Sequence, residues 1–130
     1  MIFRLDTRSG VATYLQLVQQ VKHAVRLGVL RPGDQLPTLK EVVAQLAINP
    51  NTVAKAYREL ERDGVVSATP GVGTFVRPAV RNPPDSKKLA SARQGLQLWA
   101  AKARQAGFDN EVLDALWHDV VRSDEVEDIA

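Results

Sequence analysis

Between Thr13 and Leu27 the apolar side chains fall at Tyr14, Leu17, Val18, Val21 and Val25, a spacing of threes and fours that lays one stripe along a helix. Gly28 ends that run, and Arg31-Pro32-Gly33-Asp34 reads as a turn. A second stripe, Val42, Val43 and Leu46, follows a start signal at Thr38 and Glu41. In such a capping box the Thr38 hydroxyl accepts the Glu41 amide and the Glu41 carboxylate reaches back to the Thr38 amide. Pro37 keeps the residue before it out of a helix, and the stripe ends near Ala47. Asn49-Pro50, an N-cap residue followed by proline at the first helical position, opens a third helix over Pro50–Asp63, which Gly64 closes. Two short helices joined by a tight turn form the helix-turn-helix pattern.

After Gly64 the period shortens. Val65–Ala68 predicts a strand, Thr69–Gly73 a turn with one proline and two glycines, and Thr74–Arg77 the returning strand. Upstream, Ile2, Phe3 and Leu5 predict a short edge strand. Downstream, Pro83 and Pro84 prevent regular structure and mark a linker over 81–86. A helix over Lys87–Ala106 carries Leu89, Ala92, Leu96, Trp99, Ala100 and Ala103 on one face, with Gly107 as its cap. Asp109 caps a last helix over Asn110–Arg122, whose apolar face is Val112, Leu113, Leu116, Trp117 and Val120. The acidic residues 123–130 are expected to fray. The fold class is mainly α with a small β-hairpin: a winged helix-turn-helix domain over 1–80, a linker over 81–86 and a two-helix tail over 87–122.

Composition removes several classes of function. The chain has 130 residues, 45 % of them apolar and 25 % charged, which suits a globular protein. With no cysteine there is no disulfide, thiolate metal site or cysteine nucleophile, and a reducing compartment fits. Arg4, Asp6 and Arg8 stand where a signal peptide needs an apolar run, and no stretch nears the ~18 apolar residues of a membrane span. A cytoplasmic protein without a membrane partner is expected. Two distant histidines, no phosphate-binding loop and no converging carboxylates argue against an enzyme, and no cofactor is expected. The net charge of +2 hides a division: residues 1–82 hold 11 Lys/Arg against 6 Asp/Glu, and residues 83–130 hold 6 against 9. Any polyanion-binding surface therefore belongs to the first part.

The helix from Pro50 carries the candidate chemistry. At about 100° per residue, Asn51, Lys55, Arg58 and Arg62 share a narrow sector opposite Val53, Ala56, Tyr57 and Leu60. Amides and cations are the side chains that read base edges and hold phosphates. By itself such a face is ordinary solvated helix, with Glu59 and Glu61 available to pair with Arg62 or Lys55. Behind a capped helix and before a Gly-rich hairpin it points to double-stranded DNA. Asn49 and Thr52 at the helix start, Thr38 and Lys40 at the preceding one, and Gly71, Gly73, Thr74 and Arg77 on the hairpin complete the candidate DNA-binding set. The wing glycines combine tight turning with close approach of backbone amides to DNA. The alternative is a winged helix used for protein–protein contact, which the basic face opposes. Nonspecific architectural binding calls for a more basic chain with apolar wedges, and Val72 alone fits that role.

Residues 14–76, above all GVLRPGDQLPTLKEVVAQLAINPNTVAKAYRELERDGVV and the closing GVGTFV, resemble the winged-helix domain of GntR-family bacterial regulators. The opening FRLDTRSGVATYLQL and the short tail resemble the YtrA-like subfamily. The resemblance implies a homodimer on a palindromic operator, often repressing a transporter operon and its own gene. It implies DNA contacts at Thr38, Lys40, Asn51, Thr52, Lys55 and Gly71–Gly73. Thr38 and Lys40 stand where the family usually has serine and arginine; threonine keeps the cap, while lysine keeps the charge and loses the bidentate fork. Ala12 stands where proline is common, with little consequence expected.

Two tail helices cannot easily enclose a pocket of ~300 Å³ or more. Their apolar faces are therefore assigned to dimerisation, through Leu89, Leu96, Trp99, Ala103, Leu113, Leu116, Trp117 and Val120. Asp114 and His118 share a face at i,i+4 but lack a third ligand, so no metal is expected, and His23 reads as structural. No specific small-molecule effector is expected. One would need a site at the dimer interface or where Pro83-Pro84 joins the winged domain.

Overall fold

The computed structural model describes residues 1–78 and 82–129, and side chains as far as Ser123. Its elements in chain order are α1 (Thr13–Arg26), α2 (Leu39–Leu46), α3 (Pro50–Arg62), β1 (Val66–Thr69), β2 (Gly73–Val76), α4 (Ser86–Gln105) and α5 (Asn110–Ile129). They fall into two units, Met1–Pro84 and Asp85–Ala130. The last two residues expected for the winged domain, 79 and 80, and the first expected for the linker, 81, lie outside the described residues.

The stripes meet in the first unit. Leu17, Val18 and Val21 of α1, Val42 of α2, and Val53, Ala56 and Leu60 of α3 are buried together with Phe3, Leu30, Leu36, Val66 and Val76. Burying each of the larger side chains contributes about 1.5–3 kcal/mol, so this small core is what fixes α1 and α2 against α3. The Tyr57 hydroxyl adds a polar tie from α3 to the carbonyl of Pro37, at 2.6 Å.

Two local expectations are corrected. The opening segment is not a strand. Its backbone groups pair instead with glutamine side chains of α1: Arg4 N–H donates to Gln20 Oε1 and the Gln20 amide donates back to Arg4 O, and Asp6 makes the same exchange with Gln16. A primary amide offers the donor and acceptor of a peptide group, so two glutamines take the place of a strand. The capping box is half formed. Thr38 Oγ1 accepts from the Glu41 amide, but the Glu41 carboxylate takes the Thr38 hydroxyl proton rather than the Thr38 amide. α2 ends near Ala47 as expected, and Ala47 turns left-handed at φ 53° and redirects the chain into α3.

β1 and β2 pair antiparallel, from Val66 opposite Val76 to Thr69 opposite Gly73. The stretch leading to α2 forms a third lane along β2, unforeseen in the sequence. Gly33 N–H donates to Val76 O, Val76 N–H to Asp34 O, and Leu36 N–H to Thr74 O, each at 2.8 Å. The wing is thereby fastened to the residues that introduce α2.

In the second unit, α4 ends at a turn through Gly107 (φ 91°), where Phe108 N–H bonds back to Ala103 O. The Asp109 side chain accepts from Val112 N–H and caps α5. α5 runs past its expected end at Arg122 and continues to Ile129. No proline or glycine interrupts 111–129, so nothing in the chain stops the helix. Among the described residues no helix is long and apolar enough to cross a membrane.

Candidate nucleic-acid interface

Local capping aims α3. The Asn49 side chain accepts from Asn51 N–H at 2.8 Å, and Pro50 occupies the first turn, where its missing N–H costs nothing. With Val53, Ala56 and Leu60 buried, the opposite sector is left outside, and Asn51, Lys55, Arg58 and Arg62 are all exposed on it. Thr52, beside that sector, is half-buried. Thr38 and Lys40 are exposed at the start of α2. The Thr38 hydroxyl is already engaged with Glu41 on both its donor and acceptor sides. Its first role is to hold the helix start.

Two cations of the sector have partners within the chain. Arg62 pairs with Glu59 one turn back, and that hydrogen bond, then the carboxylate charge, raises the guanidinium pKa above its ordinary value. The Lys55 ammonium lies over the ring of Tyr14, 4.0 Å from its centroid. Tyr14, read from its spacing as a core residue, thus borders the outward sector from α1. The charge pattern alone gave no sign of this, because an aromatic on an apolar stripe reads as packing. Among the described residues Arg58 has no side-chain partner.

The wing residues divide. Gly71 (φ 74°) sits at the exposed tip, and a Cβ there would meet open space. Gly73 (φ 150°) is half-buried, and a Cβ there would run into the Gln35 side chain. Its smallness therefore serves the third lane as much as any outside contact. Thr74 is half-buried, with its carbonyl bonded to Leu36. Arg77 does not flank the tip. It follows Val76 at the base of the hairpin, where its N–H bonds Val65 O, and it lines a groove of about 490 Å³ with Lys22, His23, Arg26 and Asp63. Lys22 and Asp63 form an ion pair across that groove at 2.8 Å.

On the tail, Ala103 and Leu113 are buried, while Leu89, Trp99 and Leu116 are half-buried. Leu96, Trp117 and Val120 stay 45–53 % exposed. His118 Nδ1 donates to the Asp114 carbonyl at 2.7 Å, a local backbone tie.

Comparison with known proteins gives this geometry a setting. The family model described as "Bacterial regulatory proteins, gntR family" matches residues 13–76, from the first residue of α1 to the last of β2. The HTH-type transcriptional repressor YtrA of Bacillus subtilis is 34 % identical over 86 % of this chain and 86 % of its own length, so the likeness takes in the tail. The solved structure of YtrA from Sulfolobus acidocaldarius, a GntR-family transcription factor, is 26 % identical, covers 93 % of this chain and 97 % of that one, and superposes with a TM-score of 0.56. The N-terminal domain of AraR, solved in complex with mutant ORR3, is 26 % identical over 52 % of this chain and 97 % of that one, with a TM-score of 0.50. A capped helix with a polar outward sector, a wing fastened beside it and a match that continues through a YtrA-type helical tail leave one assignment: this chain is a transcription regulator of the bacterial GntR family.

Proposed function

We propose that this chain represses transcription as a homodimer on a palindromic operator, each protomer laying α3 in a major groove and its wing tip against the neighbouring backbone. The outward sector of α3 carries the reading: Asn51, Lys55 and Arg58 are exposed on a helix whose other side is buried. In that pose Asn51 and Arg58 are suited to base edges, and Thr38, Lys40, Asn49 and Thr52 to phosphates. Arg62 joins them after exchanging Glu59 for a phosphate. The match to the bacterial regulatory proteins of the gntR family and to an HTH-type transcriptional repressor supports DNA as the partner, and the same repressor supports the sign. The regulator's own promoter and a transporter operon are the targets the family resemblance suggests.

The tail supports the dimer. Trp117, Leu96 and Val120 leave large apolar surface outside a two-helix unit that has little interior of its own. A second copy would cover it, and two-fold protein symmetry then calls for a two-fold site. Control by a specific small molecule forms no part of this reading.

Selection of duplexes from a random library, followed by footprinting on the chain's own promoter, tests the proposal. Enrichment of an inverted repeat is expected, with affinity falling as salt rises at a log–log slope of about −0.9 per neutralised phosphate. Sedimentation should find a dimer for the full chain and a monomer for residues 1–84. No enrichment, or a dimer that survives removal of the tail undiminished, would refute it.

A further inference from the structure

The Lys55 ammonium sits 4.0 Å above the Tyr14 ring centroid. Tyr14 is half-buried and packs on the core of the first unit, whereas Lys55 is exposed on the outward sector of α3. One partner of the contact is therefore fixed by the fold, and the other belongs to the candidate reading surface. An aromatic face carries negative potential and attracts a cation at this distance. A lysine side chain otherwise wanders among many rotamers and would serve any nearby phosphate equally well. Held over a fixed ring, it presents its charge at one place relative to α3, and fewer conformers are lost when it docks.

We propose that Tyr14 is a positioning residue of the reading surface, acting through Lys55: its ring sets where the ammonium enters the groove and so contributes to discrimination among sequences. This rests on the DNA-binding reading above. It places α1, which supplies none of the sequence-predicted contacts, within the machinery of specificity. The ring is the operative part, so the hydroxyl should be dispensable.

The full-length protein is the test object. Tyr14→Phe keeps the ring, Tyr14→Leu and Tyr14→Met keep apolar bulk without it, and Lys55→Met removes the charge. In the free protein, NMR should show the Lys55 Hε protons shifted upfield in the wild type and Tyr14→Phe, and at ordinary positions in Tyr14→Leu and Tyr14→Met. On a duplex enriched by the wild type, Tyr14→Leu should bind about fivefold more weakly, with Tyr14→Phe near wild type and a scrambled duplex unaffected. In a Lys55→Met background, Tyr14→Leu should cost nothing more. An unshifted Lys55 in the wild type, additive losses, or a Tyr14→Phe loss equal to that of Tyr14→Leu would each overturn the role given to the ring. If the wild type enriches no sequence, the DNA reading fails and the role of Tyr14 with it, although the ring-current shift persists. A normal shift with equal losses on enriched and scrambled duplexes leaves DNA binding standing and removes Tyr14 from specificity.

Discussion

The phenol of Tyr57, on the inward side of α3, donates to the backbone carbonyl of Pro37, the residue before the cap of α2. Burial first, and the nearby Glu41 charge second, push its pKa well above the ordinary phenol value, so it stays a donor through mildly alkaline conditions. Tyr57→Phe keeps the ring and strands the carbonyl. A loss of about 0.5–1.5 kcal/mol in urea-unfolding stability is expected, with the denaturant slope unchanged. A variant as stable as the parent would mean that the bond contributes nothing net.

Ala47 pays for its left-handed turn with a Cβ that crowds the following carbonyl, a cost of about 1–2 kcal/mol. Glycine removes the crowding but enlarges the unfolded ensemble, which returns about 0.4–1 kcal/mol. Ala47→Gly should therefore raise the thermal midpoint modestly and leave operator affinity untouched. A fall in midpoint would show that the alanine methyl has packing worth more than its strain.

The two wing glycines should respond differently to alanine. At Gly71 only the positive φ resists, since a Cβ there meets nothing. At Gly73 the backbone is unfavourable as well, and the Gln35 side chain, whose Cδ lies 3.1 Å from the added carbon, must give up its place and its bond to Val72 O. Strained backbone of this kind costs about 1–3 kcal/mol. Thermal melts should rank Gly73→Ala below Gly71→Ala, and the reverse order would remove Gln35 from the account.

Lys22 holds the Asp63 carboxylate below its ordinary pKa, chiefly by hydrogen bonding and then by charge, with Arg62 adding less. A carboxylate depressed in the folded state gives stability that is fully present above its unfolded pKa and is lost as pH falls through the folded value. Both partners are substantially exposed, so salt should weaken the effect. Between neutral pH and the acid limb, wild type should lose more stability than Lys22→Met, and 1 M salt should narrow the gap. Parallel pH profiles at low salt would show the pair to be idle.

Much of the first unit is legible in the chain. The stripes of α1 to α3, the Thr38 and Asn49 caps and the turn at Thr69–Gly73 all rest on local rules, and local rules were enough to place those elements within a residue or two. What escaped depends on partners distant in sequence. Gln16 and Gln20 read as polar gaps in a helix, yet they substitute for a strand beside Arg4 and Asp6. The 33–36 lane carries no strand signal, because a turn sequence can still lend its amides to a neighbouring edge. On the candidate interface, the outward sector of α3 followed from periodicity, since a buried stripe dictates its opposite. Arg77 did not: proximity in sequence to the wing tip hides the fact that a hairpin strand carries its far end to the base. Tyr14 escaped for the opposite reason, because one ring serves both the core and the surface.

The lane from Gly33 to Leu36 joins β2 of the wing to the residues leading into α2 through three backbone bonds, and the core joins α2 to α3. Pulling the wing aside would break those bonds or drag the helix start with it, so in the proposed pose the span between the wing and α3 is set before DNA arrives. A duplex whose grooves do not match that span must itself narrow, widen or bend. The strain then falls on the nucleic acid, at base pairs that no side chain touches. Operators should consequently differ in affinity according to the stiffness of those untouched steps, with the protein serving as a fixed gauge of DNA shape.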